Sequence, residues 1–148
     1  FTAAGSYSIS VTRQEVHVSG SPFNLAVFPN VLHPAASTVF GAGTVSAMAD
    51  DPASLCLQGR DMFGNPLNAS LPLNATTGQS LNSATVAIVG LASFTPVPFA
   101  LDYTTNMLCS QYTSPIAGSV SLDVKLNSVS IAQMPLQVEV SKRDPPTL

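Results

Sequence analysis

The sequence predicts an all-β chain that is built from short strands. Nine glycines and twelve prolines divide it into short segments that are rich in Val, Ser, Thr and Ala. Within these segments apolar and polar residues alternate, as in Ser6 to Val11, and a period of two places successive side chains on opposite faces of a strand. No apolar stripe with the period of a helix continues for more than two turns, so a helical fold is not expected.

An internal repeat groups these strands. Residues 3–27 align without a gap on residues 116–140, with Gly5 on Gly118, which is an offset of 113 residues. Eight aligned positions are identical, and the apolar residues Ile9, Val18, Phe23 and Leu25 align with the apolar residues Leu122, Ile131, Leu136 and Val138. We therefore expect residues 1–29 to be the last strands of one repeat and residues 30–141 to be a complete second repeat. Residues 142–148 are expected to be a linker to a following repeat or a tail.

The complete repeat is expected to contain seven strands, named A to G. Seven short strands separated by turn residues at regular spacing predict an immunoglobulin-like sandwich of two sheets. The predicted strands are A (Ala36 to Phe40), B (Ala53 to Gln58), C (Ala84 to Val89), D (Phe94 to Leu101), E (Met107 to Tyr112), F (Ser119 to Leu126, continued at Val129 to Ile131) and G (Pro135 to Val140).

The composition narrows the range of partners. Charged residues make up 9% of the chain, against about 25% in typical domains. The formal net charge of −3 provides no basic patch for nucleic acid. No apolar run approaches the roughly 20 residues that span a bilayer, so we expect contact with a membrane only through other parts of the parent chain.

Three motifs resemble the filamin-type immunoglobulin repeat. "QGRDMFGNPL" (Gln58 to Leu67) supplies the charged and glycine-asparagine turn that follows strand B in that family. "QYTSPIAGSVSLDV" (Gln111 to Val124) nearly matches its Tyr-x-Pro motif before a glycine-led strand F, and "GSPF" (Gly20 to Phe23) matches the start of strand G. The second copy departs from the last motif, since "AQMPL" (Ala132 to Leu136) keeps only the proline and an apolar residue.

The resemblance implies a module that stacks with neighbouring repeats and binds proteins. In the family, the groove between strands C and D accepts a partner's strand by β-augmentation. The corresponding edge in this chain is Ala84, Val86 and Ile88 with their neighbours. The alternative is an ordinary edge strand that is protected by its short length and by nearby sugars.

Two cysteines lie in the predicted strands B and E, which are neighbours in one sheet of such a fold. If Leu55 and Leu57 face the core, alternation turns Cys56 outward, and an inward Leu108 turns Cys109 to the same outer face. The pair is then placed to form a disulfide bond across the sheet. The alternative is two buried free thiols.

Two N-glycosylation sequons lie in the polar stretch between strands B and C. They are "NAS" at Asn68 and "NAT" at Asn74, and a predicted surface loop is a place where a glycan is tolerated. Together with the low charge and the predicted disulfide, they favour an extracellular location.

No catalytic residue, cofactor or metal site is predicted. His17 and His33 are the only histidines and lie in different repeats, and the adjacent Asp50 and Asp51 would point apart in an extended segment. Two cysteines and two histidines at scattered spacing do not match a zinc-ligand pattern. We therefore do not expect an enzyme.

These features predict a non-catalytic structural or adhesion module of an extracellular or cell-surface multi-repeat protein. The expected partners are proteins or adjacent repeats of the same chain, with homotypic assembly included, and neither nucleic acid nor a small-molecule substrate. The sequence is similar in this respect to the filamin-like ectodomains of gamete-surface adhesion proteins of algae and plants. The alternative is an intracellular filamin-like scaffold, either an actin crosslinker or a ciliary structural protein, located in the cytoplasm, cytoskeleton or cilium.

Overall fold

The computed structural model describes residues 1–67, 84–91, 94–102, 104–105 and 107–143. Within these ranges the chain forms short strands and two 3-10 turns, at Pro34–Ala36 and Ala42–Thr44. Neither turn is long enough to span a membrane. In chain order the strands are β1 (Gly5–Ile9), β2 (Thr12–Arg13), β3 (Val16–His17), β4 (Phe23–Val27), β5 (Thr38–Phe40), β6 (Ser46–Met48), β7 (Pro52–Gln58), β8 (Thr85–Ile88), β9 (Val97–Pro98), β10 (Ala100–Asp102), β11 (Met107–Thr113), β12 (Gly118–Leu126), β13 (Val129–Ser130) and β14 (Leu136–Ser141).

Residues 30–143 fold as a sandwich of two sheets. The four-stranded sheet has the order β10-β11-β7-β5. The six-stranded sheet has the order β6-β14-β12-β8-β9, with β13 paired to β12. Predicted strands B, C, E, F and G correspond to β7, β8, β11, β12 and β14, and their ends lie within one or two residues of the predicted ends. The predicted all-β sandwich is confirmed.

The two sheets enclose one apolar core, because each strand that faces it alternates buried and outward side chains. In β7, for example, Ala53, Leu55 and Leu57 are buried while the residues between them face outward. Burying a side chain of the size of leucine contributes about 1.5–3 kcal/mol. The most deeply buried apolar side chains come from both sheets and are Leu55, Leu57, Leu108, Tyr112, Val86, Leu122, Val124, Leu126 and Val138.

The predicted strand A corresponds to β5, which begins two residues later than predicted and pairs with β7. After Gly41 the chain crosses to the other sheet, where β6, a strand that was not predicted, pairs in parallel with β14. Gly43 makes this crossing possible, because a Cβ atom there would lie 2.7 Å from the carbonyl oxygen of Ser54. The buried Tyr112 hydroxyl donates a hydrogen bond of 2.7 Å to the Gly43 carbonyl and fixes the crossing to β11.

The predicted strand D is divided between the two sheets. β9 pairs with β8 in the six-stranded sheet, and β10 pairs with β11 in the four-stranded sheet. Phe99 lies between them with its side chain buried in the core. Pro98 has no N–H to donate to a further strand, which is compatible only with an edge position. Strands that change sheet therefore close both sides of the sandwich.

The repeat is reproduced in the backbone residue by residue. β1 pairs with β4 from Gly5–Val27 to Ile9–Phe23, and β12 pairs with β14 at the positions 113 residues later. The small β2–β3 hairpin has the same register as β12 with β13. Both hairpins turn through two residues with positive φ, Gln14 and Glu15 in one and Asn127 and Ser128 in the other, as the tightest hairpin turns require.

Burial differs between the two copies. On β12 and β14, Leu122 and Val138 are 1% and 0% exposed. Their counterparts on β1 and β4, Ile9 and Leu25, are each 37% exposed. The strands of the first copy thus present an apolar face that no second sheet covers among the described residues.

Candidate functional site

A tight turn follows β7 and carries a buried charge. Asp61 is 1% exposed, and aspartate is almost never buried to this degree unless its charge has partners. The turn is closed by backbone hydrogen bonds from Asp61 to Asn65 and from Gly64 to Asp61. In addition, the Arg60 guanidinium donates to the Gly64 carbonyl at 2.7 Å.

Four N–H groups donate to the Asp61 carboxylate. They are the backbone N–H groups of Asn30, Phe63 and Asn65, each at 2.9 Å, and the side-chain amide of Asn65 at 2.8 Å. Burial alone raises the pKa of Asp61, but the hydrogen bonds from Asn30, Asn65 and Phe63 outweigh it and hold the pKa below its ordinary value. The ionised carboxylate therefore organises the turn.

Asn65 connects this turn to the start of the chain. Its side-chain amide donates to the Thr2 carbonyl at 2.7 Å. Its side-chain oxygen accepts the backbone N–H of Ala4 at 2.8 Å. Thr2 and Ala4 lie directly before β1, more than 60 residues away in sequence. Asn65 therefore joins the first copy of the repeat to the second.

Residues 30–33, at the start of the predicted complete repeat, are also held against the turn. The Asn30 N–H donates to Asp61, Leu32 forms a β-bridge with Asp61, and the His33 N–H donates to the Arg60 carbonyl at 2.7 Å. We name the set Thr2, Ala4, Asn30, Asp61 and Asn65 the repeat junction. It is an interaction site whose hydrogen bonds hold the residues before β1 and Asn30 against the turn after β7.

The outer face of the four-stranded sheet carries the two cysteines. Cys56 on β7 lies directly opposite Cys109 on β11, and they form a disulfide bond with an S–S distance of 2.02 Å. The neighbouring Leu55, Leu57 and Leu108 are buried in the core, as the alternation of the two strands predicts. The bond therefore links the two central strands of the sheet on the face turned away from the core.

The predicted partner-binding edge lies on β8. The side chains of Ala84, Val86 and Ile88 face the core and are 0%, 0% and 5% exposed. β9 pairs with this edge at Thr85 and Val86. A partner strand would therefore pair only with the part of β8 beyond Val86, or would have to displace β9. Binding at this edge stays a prediction.

The remaining predicted positions do not form a common site. Asn68 and Asn74 lie outside the described residues, so their glycosylation also stays a prediction. His17 contacts the Ser21 hydroxyl at 3.0 Å in the first copy, whereas His33 belongs to the segment that enters the second. In the part of the chain that the structure describes, no group of three or more His, Cys, Asp or Glu side chains is placed to hold a metal ion.

Sequence reasoning identified "DMFGNP" as a turn but did not identify the repeat junction. The aspartate, glycine and asparagine of that motif are ordinary turn residues, and their spacing carries no information about a partner 60 residues away. The signal that was available is the repeat itself. The repeat indicates that residues 3–27 form a unit next to the segment that begins at Asn30, but not which turn contacts that unit.

Comparison with known proteins places the fold. No protein-family model matches the sequence, and no curated protein matches it. Solved structures do match. The filamin domain of Lin-41 aligns with a TM-score of 0.51 at 15% identity, covering 74% of this chain and 95% of that one. The Escherichia coli adhesin FdeC aligns with a TM-score of 0.53 at 16% identity, covering 93% of this chain and 42% of that one.

These likenesses define the class of fold. The chain has the fold of a filamin-type immunoglobulin-like repeat, as the three sequence motifs predict. It spans less than half the length of the adhesin that it resembles. Because fold and function vary independently, the function has to be argued from the disulfide, the edges and the repeat junction.

Proposed function

We propose that the chain is a structural and adhesive module, without catalytic activity, of an extracellular or cell-surface multi-repeat protein. The observation that carries this proposal is the disulfide bond between Cys56 and Cys109. Disulfide bonds persist in oxidising compartments and are rare in the cytosol. The bond links the two central strands of the four-stranded sheet, so we assign it a structural role.

Composition and sequons support the same location. Surface polarity comes mainly from Ser, Thr, Asn and Gln, since only 9% of the residues are charged. In this proposal glycans on Asn68 and Asn74 add to the solubility of such a surface. The likeness to an adhesin agrees with a module that holds or binds other proteins.

In this proposal residues 1–29 are the last strands of a preceding repeat, residues 30–141 are a complete repeat and residues 142–148 are a linker. Two observations support the assignment. The strands of the first copy have the register of β12 to β14, and their apolar face is exposed, with Ile9 and Leu25 each 37% accessible. A face of this kind is stable only against a second sheet.

Partner binding is expected at two places. The first is the junction between consecutive repeats, where partners are copies of the same unit. The second is the free part of the β8 edge, where an extended segment of another protein adds a strand by backbone hydrogen bonding. Homotypic assembly belongs to the same proposal, because the repeat junction already joins two copies of one unit.

The alternative function is an intracellular filamin-like scaffold, such as an actin crosslinker or a ciliary structural protein. The likeness to the filamin domain of Lin-41 agrees with it. This alternative requires reduced cysteines and bare asparagines in the mature protein. It therefore differs from the first proposal in the chemical state of four named residues: Cys56, Cys109, Asn68 and Asn74.

Surface labelling of source cells tests the proposal. Intact cells are treated with a membrane-impermeant biotin reagent for amines, and the protein is captured with an antibody raised against residues 1–148. We expect biotin on Lys125 or Lys142, both exposed, before the cells are lysed. Labelling that appears only after lysis would contradict an extracellular location and favour the scaffold.

A further inference from the structure

The end of the six-stranded sheet carries an open pocket. It lies where β8 ends and β12 begins and has a volume of about 160 Å³. Two large apolar side chains at this end, Val89 and Ile116, are 52% and 47% exposed. The pocket is lined by Ile88, Val89, Gly90, Leu91, Ile116, Ser119, Val120 and Ser121.

The 113-residue offset relates this pocket to the repeat junction. It places Ala3 at the position of Ile116 and Tyr7 at the position of Val120. Ala3 lies between Thr2 and Ala4, the two residues that bind Asn65. The pocket of the second copy lies at the end marked by Ile116. The corresponding end of the first copy, marked by Ala3, is the one that contacts the turn after β7. Residues 88–91 have no counterpart within residues 1–29.

The turn presents apolar side chains next to this contact. Met62 and Phe63 are 61% and 51% exposed, although Asp61 beside them is buried and Asn65 is held by the first copy. Large exposed apolar side chains grouped on one turn are typical of a protein interface.

We propose that the pocket at Ile116 binds the turn after β7 of a following repeat. The apolar residues at the positions of Met62 and Phe63 then fill the pocket. The asparagine at the position of Asn65 binds the backbone of Pro115 and Ala117, which are the counterparts of Thr2 and Ala4 and are exposed. The inference rests on the proposed function in one respect, namely that the parent protein contains consecutive repeats.

The contact is head to tail, since it joins two different surfaces of one unit. Such an interface can form between every pair of consecutive repeats, and it leaves the pocket of the last repeat open. Each repeat then contacts only its neighbours, as in other linear arrays. The orientation between repeats is fixed by a pocket and two hydrogen bonds in addition to the linker.

A tandem chain tests this docking. Residues 1–142 are followed directly by residues 30–148, which reproduces the native spacing, because Lys142 takes the position of Pro29 before Asn30. The rotational correlation time is measured by ¹⁵N relaxation. We expect the tandem to tumble as one body, with a longer correlation time than the 148-residue chain.

Ile116→Asp in the first of the two complete repeats is expected to shorten the correlation time to that of repeats tumbling independently. The same substitution in the last repeat, where nothing follows, is the matched control and should leave the correlation time unchanged. Phe63→Ser in the last repeat should act like the inner Ile116→Asp. The melting temperature of each variant, compared with that of the unsubstituted tandem, shows whether the repeats remain folded.

Independent tumbling of the unsubstituted tandem would overturn the proposal, as would equal effects of the inner and outer substitutions. An intracellular location of the parent protein would contradict the proposed function but leave this result unchanged. The two failures are therefore distinguishable.

Discussion

A single buried carboxylate organises the turn on which the repeat junction depends. Asp61 accepts hydrogen bonds from the turn itself, through Phe63 and Asn65, and from Asn30, at the start of the predicted complete repeat. A charged acceptor makes stronger hydrogen bonds than a neutral one. One residue therefore couples the shape of the turn to the path of the chain where that repeat begins.

Asp61→Asn should destabilise the chain by about 1–3 kcal/mol at pH 7, because a neutral amide cannot accept from four N–H groups and leaves buried donors unsatisfied. Urea denaturation of both proteins measures the difference. The control is Asp51→Asn, since Asp51 forms an exposed ion pair with Arg143 at 3.1 Å, and such pairs contribute at most about 1 kcal/mol. Equal losses in the two variants would contradict the role of Asp61.

The same residue should make stability depend on acid pH. Because the pKa of folded Asp61 lies below its ordinary value of 3.8, its contribution is fully present above that value and is lost as pH falls through the folded pKa. Denaturation midpoints measured from pH 6 downward should fall less steeply for Asp61→Asn than for the unsubstituted chain. Parallel pH profiles would contradict this.

Tyr112→Phe tests the crossing between β5 and β6. The substitution leaves the buried Gly43 carbonyl without the hydroxyl that donates to it at 2.7 Å, which should cost about 1–2 kcal/mol. Tyr7→Phe is the control, because the Tyr7 hydroxyl donates to the Ala3 carbonyl at an exposed position. We expect its loss of stability in urea to be less than half of that of Tyr112→Phe. A similar loss in both variants would be the contrary result.

At the scale of elements, the sequence predicts regular strands better than strands that change sheet. The strands β7, β11, β12 and β14 alternate strictly and lie close to their predicted positions. The prediction of D as one continuous strand is wrong, because Phe99 turns into the core between β9 and β10, which pair in different sheets. β6, which follows the crossing after β5, is not predicted at all. Both changes of sheet depend on tertiary packing that alternation does not encode.

The disulfide bond and the repeat junction also differ in how far the sequence predicts them. The Cys56–Cys109 pairing was predictable from two facts. Alternation gives the face on which each cysteine lies, and the immunoglobulin-like architecture makes strands B and E neighbours in one sheet. The hydrogen bonds of Asn65 to Thr2 and Ala4 were not predictable, because they depend on how two copies of the repeat meet. The repeat offset was visible in sequence, but the residues that make the contact are ordinary turn residues.

The disulfide bond is the strongest single constraint between elements. It closes a separation of 53 residues, which in the chain-entropy model stabilises the fold by about 4 kcal/mol. Addition of a reductant should therefore lower the urea midpoint of the unsubstituted chain. The double variant Cys56→Ala/Cys109→Ala should have the lower urea midpoint from the start, and the reductant should leave that midpoint unchanged. A reductant effect of equal size on both proteins would contradict the assignment.

At the scale of the whole molecule, the chain contains two copies of one hairpin arrangement in different environments. The copy at β12 to β14 lies against the four-stranded sheet, whereas β1 and β4 form a two-stranded sheet by themselves. Isolated two-stranded sheets are only marginally stable in water. Because the two copies share one register, we expect the difference in environment to make β1 and β4 less stable than β12 and β14.

Amide hydrogen exchange compares the two copies directly, because each amide in residues 5–27 has a counterpart 113 residues later. We expect the amides of β1 and β4 to exchange by local opening, much faster than those of β12 and β14, which should exchange near the global unfolding limit. Equal protection of the paired positions would mean that the first copy is stabilised by contacts other than those described above.

The extracellular location of the module is tested by the intact mass of the protein purified from its source. The mass is measured before and after N-glycosidase treatment and thiol alkylation. We expect a loss of mass with the glycosidase, from sugar on Asn68 or Asn74. We also expect Cys56 and Cys109 to be alkylated only after reduction. Bare asparagines together with two thiols that react without a reductant would contradict this location and support the intracellular scaffold.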